Sequence, residues 1–117
     1  TKTRHNRVVP LNSQATEILK RYMRKSSTHI FQQAATTPKI FRRAVEACGF
    51  NHGIHDRRER VVFHTLRHTF ASWLVQRGVA LAIVSQLLGH SDMRMTMRYA
   101  HLAPNQGMQA VSSLPYV

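Results

Sequence analysis

The sequence predicts a mainly α-helical domain with a small antiparallel β element at its amino-terminal end, and three observations carry that expectation. Apolar residues recur with a period near 3.6 in several separate stretches, the signature of helices with one buried face. Three of these stretches run into a glycine, at Gly49, Gly78 and Gly89, the residue that most readily takes the left-handed turn ending a helix. Near the start, Arg7-Val8-Val9-Pro10-Leu11 reads instead as a short strand, stopped by Pro10, which cannot donate to a ladder. At 117 residues the chain fits a single domain, 1–117, able to bury a usable core and little more.

Taken in order, Lys2 to Asn6 form a polar turn feeding the strand. Asn12 or Ser13 caps a first helix with apolar positions Ala15, Ile18, Leu19, Tyr22 and Met23, and Ser26 to Thr28 break it. Ile30-Phe31 is a short extended segment, followed by a loop from Gln32 to Thr37. Thr37 then caps a second helix with Pro38 in its first position and Ile40, Phe41, Ala44, Val45 and Cys48 as its stripe. Phe50 to Arg60 is a polar, exposed loop. A third helix, from about Thr65 to Arg77, is expected to bury Leu66, Phe70, Trp73 and Leu74. A shorter fourth carries Leu81, Val84, Leu87 and Leu88. Arg94 to Tyr99 reads as helical with Met95 inward, and Trp73, Met93, Met95 and Met97 read as core or interface filler. The tail, with Pro104, Gly107 and Pro115, holds one short helix around Gln106 to Ser112.

Charge narrows the partner. The chain carries 17 Lys and Arg against 5 Asp and Glu, a formal net charge of +12, with 8 His beside them. Such an imbalance says nothing about the fold but favours a polyanionic partner, nucleic acid first. An apolar share of 43% argues against a disordered basic tail. No apolar run approaches the roughly 20 residues needed to cross a bilayer, and Thr1-Lys2-Thr3-Arg4-His5 has no apolar core behind it, so neither a membrane span nor a signal peptide is expected. A lone cysteine, Cys48, leaves no internal disulfide and makes a cytoplasmic setting the natural expectation. Basic residues cluster at the start (Lys2, Arg4, Arg7, Lys20, Arg21, Arg24 and Lys25, against Glu17) and again at Arg57-Arg58-Glu59-Arg60. As ordinary surface these faces are simply solvated; beside a phosphate site, Arg4, Arg7, Arg57, Arg58 and Arg60 become candidate contacts to DNA backbone.

The chemistry-bearing residues concentrate in the second half. His64-Thr65-Leu66-Arg67-His68 is followed by Leu88-Gly89-His90 and then Tyr99, in a region with almost no acid. His64 and Arg67 lie three apart and share a helical face. A guanidinium forks onto two phosphate oxygens, and a phenolic oxygen can serve as nucleophile, so the set suits chemistry on a phosphodiester. A phenol of ordinary pKa about 10 is mostly protonated at neutral pH, and needs a cationic neighbourhood and a proton acceptor when it attacks. Plainer readings exist for single members. His64 and His68 are four apart, as zinc-binding histidines can be, but Thr65 stands where the metalloprotease motif needs an acid. His68 reads as a packing or hydrogen-bonding residue rather than a catalyst. Tyr99 judged alone is a core-edge aromatic like Tyr22, a reading that the motifs around it reverse; Tyr116 has no motif around it. A metal-dependent hydrolase would need carboxylates near the histidines, for which Asp56, Glu59 and Asp92 are the candidates.

Two blocks carry a family resemblance. They are His64-Thr65-Leu66-Arg67-His68-Thr69-Phe70-Ala71-Ser72, with Gly78 behind it, and Leu87-Leu88-Gly89-His90-Ser91, followed by Thr96 and Tyr99. In order and spacing they closely resemble the tyrosine recombinase (phage integrase) family, and Lys2 ahead of Arg7-Val8-Val9-Pro10-Leu11 resembles that family's hairpin lysine ahead of its strand. The resemblance runs from Lys2 to about Pro104 and implies a recombinase catalytic-domain fold and site-specific DNA recombination and integration. By it, Tyr99 attacks the scissile phosphorus to give a 3′-phosphotyrosyl linkage and a free 5′-hydroxyl. Arg67 holds non-bridging oxygens, His64 donates to the same phosphate or assists proton movement, and His90 donates to a phosphate oxygen. Lys2 is the implied general acid for the leaving 5′-oxygen. The protein–DNA ester conserves bond energy, so neither a metal nor a nucleotide cofactor is implied. The implied partners are double-stranded DNA at attachment sites and, in the synaptic complex, further copies of the protein as a homo-tetramer, acting in the bacterial nucleoid or host cytoplasm.

One departure from the family pattern bears on extent. The family places a first arginine, in an Ala-Arg-x-x-Glu-like helix, well before the hairpin lysine, and Arg57 and Arg58 come in the wrong order to replace it. The expectation is a carboxy-terminal portion of a catalytic domain, truncated at its amino-terminal side, without the upstream catalytic helix or the DNA-clamping domain, and weak or inactive alone. The alternative is a non-catalytic helix-turn-helix DNA-binding module built on Ala82 to Met97.

Overall fold

A computed structural model describes residues 8–23 and 37–115. Its helices are α1 (Ser13–Tyr22), α2 (Thr37–Ala47), α3 (Phe63–Gln76), α4 (Leu81–Leu88), α5 (Arg94–Met97) and α6 (Gly107–Ser112), with a 3-10 turn at Ala100–Leu102 between the last two. The chain divides into two compact units, Thr1–Phe63 and His64–Val117.

In the first unit, local chemistry sets the helix ends. Asn12 caps α1: its Oδ1 accepts the Ala15 N–H at 2.8 Å, satisfying one of the donors a helix start leaves without a partner. α2 buries Val45, and its Phe41 meets Phe63 edge to face with centroids 5.6 Å apart. It ends at Gly49, where the Gly49 N–H donates to Glu46 and the Phe50 N–H to Val45. Beyond it the loop is exposed, as its polarity predicts, yet not loose. Asn51 clamps both sides of Val61, its Nδ2 donating to the carbonyl at 2.9 Å and its Oδ1 accepting the N–H at 2.7 Å.

The expected β element is not found: among the described residues there is no strand. Val8 and Val9 lie in irregular, exposed chain ahead of α1. β-branched residues only favour a strand where a neighbouring ladder supplies hydrogen-bond partners and a face to cover, and Pro10 removes one donor besides. Lys2 to Arg7 and Ile30-Phe31 lie outside the described residues.

The second unit packs around Ala71, Val75, Val84, Leu88 and Tyr99, with Leu74, Val79, Leu81 and Leu102 partly buried against them. Fully burying a valine such as Val75 or Val84 contributes about 1.5–3 kcal/mol. α3 begins two residues earlier than its pattern suggests and turns a different face inward. Leu66, Phe70 and Trp73 are 53%, 43% and 59% exposed, and of the four expected core residues Leu74 alone packs on the cluster. Since α3 is apolar on two sides, periodicity alone could not choose between them. The core of the second unit takes Ala71 and Val75, one turn apart, so the face they share is the one that closes. Met95 is likewise corrected: it and Met97 are each 52% exposed, Met93 is 40% exposed, and Thr96 points inward with no exposure at all. No helix among the described residues is long and apolar enough to cross a membrane.

Candidate active site

α3 delivers His64, Arg67 and His68 within little more than one turn. Arg67 is half-buried, and its Nη2 donates to the Leu88 carbonyl at 2.6 Å. That carbonyl belongs to the last turn of α4, where helix geometry leaves oxygens without an internal partner and gathers partial negative charge. A guanidinium there satisfies both. One residue later Gly89 takes φ 67, a left-handed conformation that any side chain would resist, and lets the His90 N–H return to the Ser85 carbonyl at 3.1 Å. His90 is thereby turned back across the end of α4. Its Nδ1 lies 2.7 Å from the Oγ1 of the fully buried Thr96. With that hydroxyl donating, the ring proton sits on Nε2.

Tyr99 closes the cluster. Its ring is 6% exposed and belongs to the core, yet its hydroxyl emerges against α3 and pairs with His68 Nδ1 at 2.5 Å. The two rings are tilted by 50° with centroids 5.9 Å apart. His64 in turn meets His68 edge-on, with centroids 4.7 Å apart, and the Arg98 guanidinium carbon stands 5.8 Å from the Tyr99 ring centre. Desolvation, and then repulsion from His64, Arg98 and Arg67, pushes the His68 pKa below its ordinary 6.5. The imidazole is therefore neutral at neutral pH, and a neutral imidazole with its proton on Nε2 accepts the phenol's hydrogen bond at Nδ1.

The phage integrase family model matches residues 1–106. The chain belongs to the phage integrase family. A tyrosine recombinase of Pseudothermotoga lettingae is 33% identical over 97% of this chain and 40% of its own length. An integrase of Escherichia phage 186 is 35% identical over 100% of the chain and 32% of its own, and the tyrosine recombinase XerD of Lacticaseibacillus casei is 34% identical over 90% and 39%. The chain thus spans about a third to two fifths of the length of these relatives. No solved structure gives a significant match.

Within this integrase-family chain, the structure places His64, Arg67, His90 and Tyr99 in the second unit. It links Arg67 to the α4 end, His90 to Thr96 and Tyr99 to His68. Lys2, Arg4 and Arg7 lie outside the described residues, and Arg57, Arg58 and Arg60 belong to the loop of the first unit. Arg58 pairs with Asp56 at 2.9 Å, while Arg60 Nε donates to the Ile54 carbonyl. Asp92 is similarly held by Arg94, which keeps its carboxyl below the usual carboxylate range. Among the described residues no three His, Cys, Asp or Glu side chains gather in a way that could hold a metal ion. The helix-turn-helix reading meets a geometric obstacle: its second helix, α5, is four residues, about 6 Å of helix. Two contributors escaped the sequence: Arg98 was readable only as the residue beside Tyr99, and the Leu88 carbonyl carries no side-chain signal at all. His68 was expected to pack or hydrogen-bond, and its partner is the Tyr99 hydroxyl.

Proposed function

We propose that this chain carries the cleavage and rejoining chemistry of a site-specific DNA recombinase, working on duplex DNA at attachment sites through a 3′-phosphotyrosyl intermediate. The observation that supports it best is the placement of the Tyr99 hydroxyl: on an otherwise buried ring, hydrogen-bonded to His68 beside Arg67 and His64, with His90 braced by Thr96. Tyr99 is the nucleophile, its oxygen attacking in line with the departing 5′-oxygen. Arg67 uses its remaining N–H groups to fork onto non-bridging phosphate oxygens, His90 donates to one of them, and His64 donates to the same phosphate or assists proton movement. Lys2 delivers a proton to the 5′-oxygen. These groups supply the positive charge that other phosphoryl-transfer sites draw from a metal, so the reaction needs no cofactor.

In this reading the chain is the carboxy-terminal part of a catalytic domain, acting within a tetramer of copies. Arg4, Arg7, Arg57, Arg58 and Arg60 contact the DNA backbone, and the +12 charge draws the duplex in. The names of the relatives, tyrosine recombinases and integrases, agree with this activity.

The test is covalent capture. A duplex nicked near the cleavage site loses its short 5′-hydroxyl fragment after attack and cannot rejoin, so the recombinase remains attached and peptide mapping locates the linkage. The adduct is expected on Tyr99 and is expected to vanish in Tyr99→Phe. An adduct that survives the substitution moves the nucleophile to Tyr22 or Tyr116, and binding without any adduct supports the plain DNA-binding module.

A further inference from the structure

The nucleophile in this reading is a protonated phenol, and something must receive its proton. Of the three histidines drawn into the site, His90 uses Nδ1 on the Thr96 hydroxyl and His64 lies edge-on to a neighbouring ring. The group that meets the Tyr99 hydroxyl is His68, whose Nδ1 lies 2.5 Å away.

We propose that His68 is the general base of the reaction, its Nδ1 taking the phenolic proton as the Tyr99 oxygen attacks phosphorus. The inference rests on Tyr99 being the nucleophile. The step balances without a co-reactant. The Tyr99 O–P bond forms as the P–O5′ bond breaks, the phenolic proton moves to Nδ1 to leave an imidazolium, and the 5′-oxygen receives its own proton from the general acid. Rejoining runs the same path backwards: the 5′-hydroxyl attacks, the tyrosyl oxygen departs, and His68 returns the proton.

The surroundings suit that role. The charged and titratable groups against His68 are His64 and Arg67 from α3, with Arg98 and Tyr99 from the segment after α5. None is an anion, which holds the imidazole neutral and ready to accept. A neutral ring among cations would resist becoming an imidazolium, and here the substrate completes the site. The incoming phosphodiester brings the missing negative charge, so the basicity of His68 rises when DNA is seated and falls when it leaves. The phenol is thus activated only against its target.

The decisive measurement is single-turnover adduct formation by the full-length recombinase on a nicked substrate at saturating DNA, as a function of pH. The native protein should speed up as pH rises through the titration of His68 and then level off. His68→Ala and His68→Asn should both slow cleavage by about a hundredfold or more at neutral pH. They should lose that titration and recover rate toward the pH range where a phenol ionises by itself. Asparagine can still hydrogen-bond the hydroxyl but cannot take its proton. A His68→Asn protein at native rate would show that His68 only holds Tyr99 in place, and would overturn the assignment. Thermal melting and DNA affinity of both variants report whether the fold survives, and the asparagine variant carries the test if alanine opens the core. A second substrate, with sulfur replacing the bridging 5′-oxygen, leaves without protonation. Variants that stay slow on it lack a base, and variants rescued by it would place His68 on the acid side. In parallel, an adduct persisting in Tyr99→Phe would remove the nucleophile and the base together, whereas native rates in the His68 variants would remove the base and leave the nucleophile standing.

Discussion

In the loop between α2 and α3, arginines are answered by groups that remain in water. Arg58 meets Asp56 with its own side chain 90% exposed, and Arg60 reaches back to a carbonyl of the same loop. In the second unit, Arg67 is half-buried and fixed to the end of α4 by a bond crossing 21 residues of chain, while His90 leans on a hydroxyl with no exposure at all. Both regions are basic, but they differ in what holds the charge still. An exposed pair is screened and costs side-chain freedom, so its net worth is small. A cation fixed by buried groups is already aimed before the substrate arrives, and reorganises little during the reaction. In the reading proposed above, the loop therefore serves attraction and the second unit serves chemistry.

Arg67 offers the hardest break of that contrast. Arg67→Ala is expected to slow single-turnover cleavage by roughly a hundred- to a thousandfold, the usual cost of one preorganised donor to a developing oxyanion. Arg67→Lys should stay at least about tenfold slow, because an ammonium cannot hold the Leu88 carbonyl and also fork onto phosphate. Full activity in the lysine variant would mean that charge alone suffices, and the distinction between the two regions would dissolve. Thr96→Val, nearly equal in volume, sharpens it further. With its brace gone His90 should drift, slowing cleavage by about tenfold with DNA affinity little changed, and the lost hydroxyl should lower stability by about 1 kcal/mol. A native rate would show that His90 needs no positioning. The smallest effects are expected in the loop. Arg57→Ala, Arg58→Ala and Arg60→Ala should each weaken DNA binding modestly and flatten the slope of log affinity against log salt by roughly 0.9 for each phosphate left without its arginine. Fluorescence anisotropy across a salt series reads this directly, and an unaltered slope in all three would take the loop out of the interface.

What could be read from the sequence was what short-range chemistry decides. Asn12 caps α1, Gly49, Gly78 and Gly89 end their helices, and α6 lies where its pattern put it, because each depends on neighbours within a few residues. Partners far along the chain were not readable. The strand expected at Val8-Val9 fails for want of a ladder among the described residues. α3 offered two apolar sides, and only the core it shares with Val84, Leu88 and Tyr99 selected the one with Ala71 and Val75. The same holds at the site. Spacing marked His64, Arg67, His90 and Tyr99 as candidates, but it could not say that the phenol meets His68, 31 residues away, or that Arg67 spends a donor on a main-chain oxygen.

The turn at Gly89 has a mechanical consequence. Just one residue separates the carbonyl that steadies Arg67 from the ring of His90, and that residue sits in a tight left-handed turn. Both groups are therefore gauged from a single piece of main chain. A displacement of the α4 terminus carries them together and keeps the gap between them, as two jaws mounted on one block. Independent adjustment of either jaw falls to side chains at its far anchor: Thr96 for one, and the length of the Arg67 stem for the other.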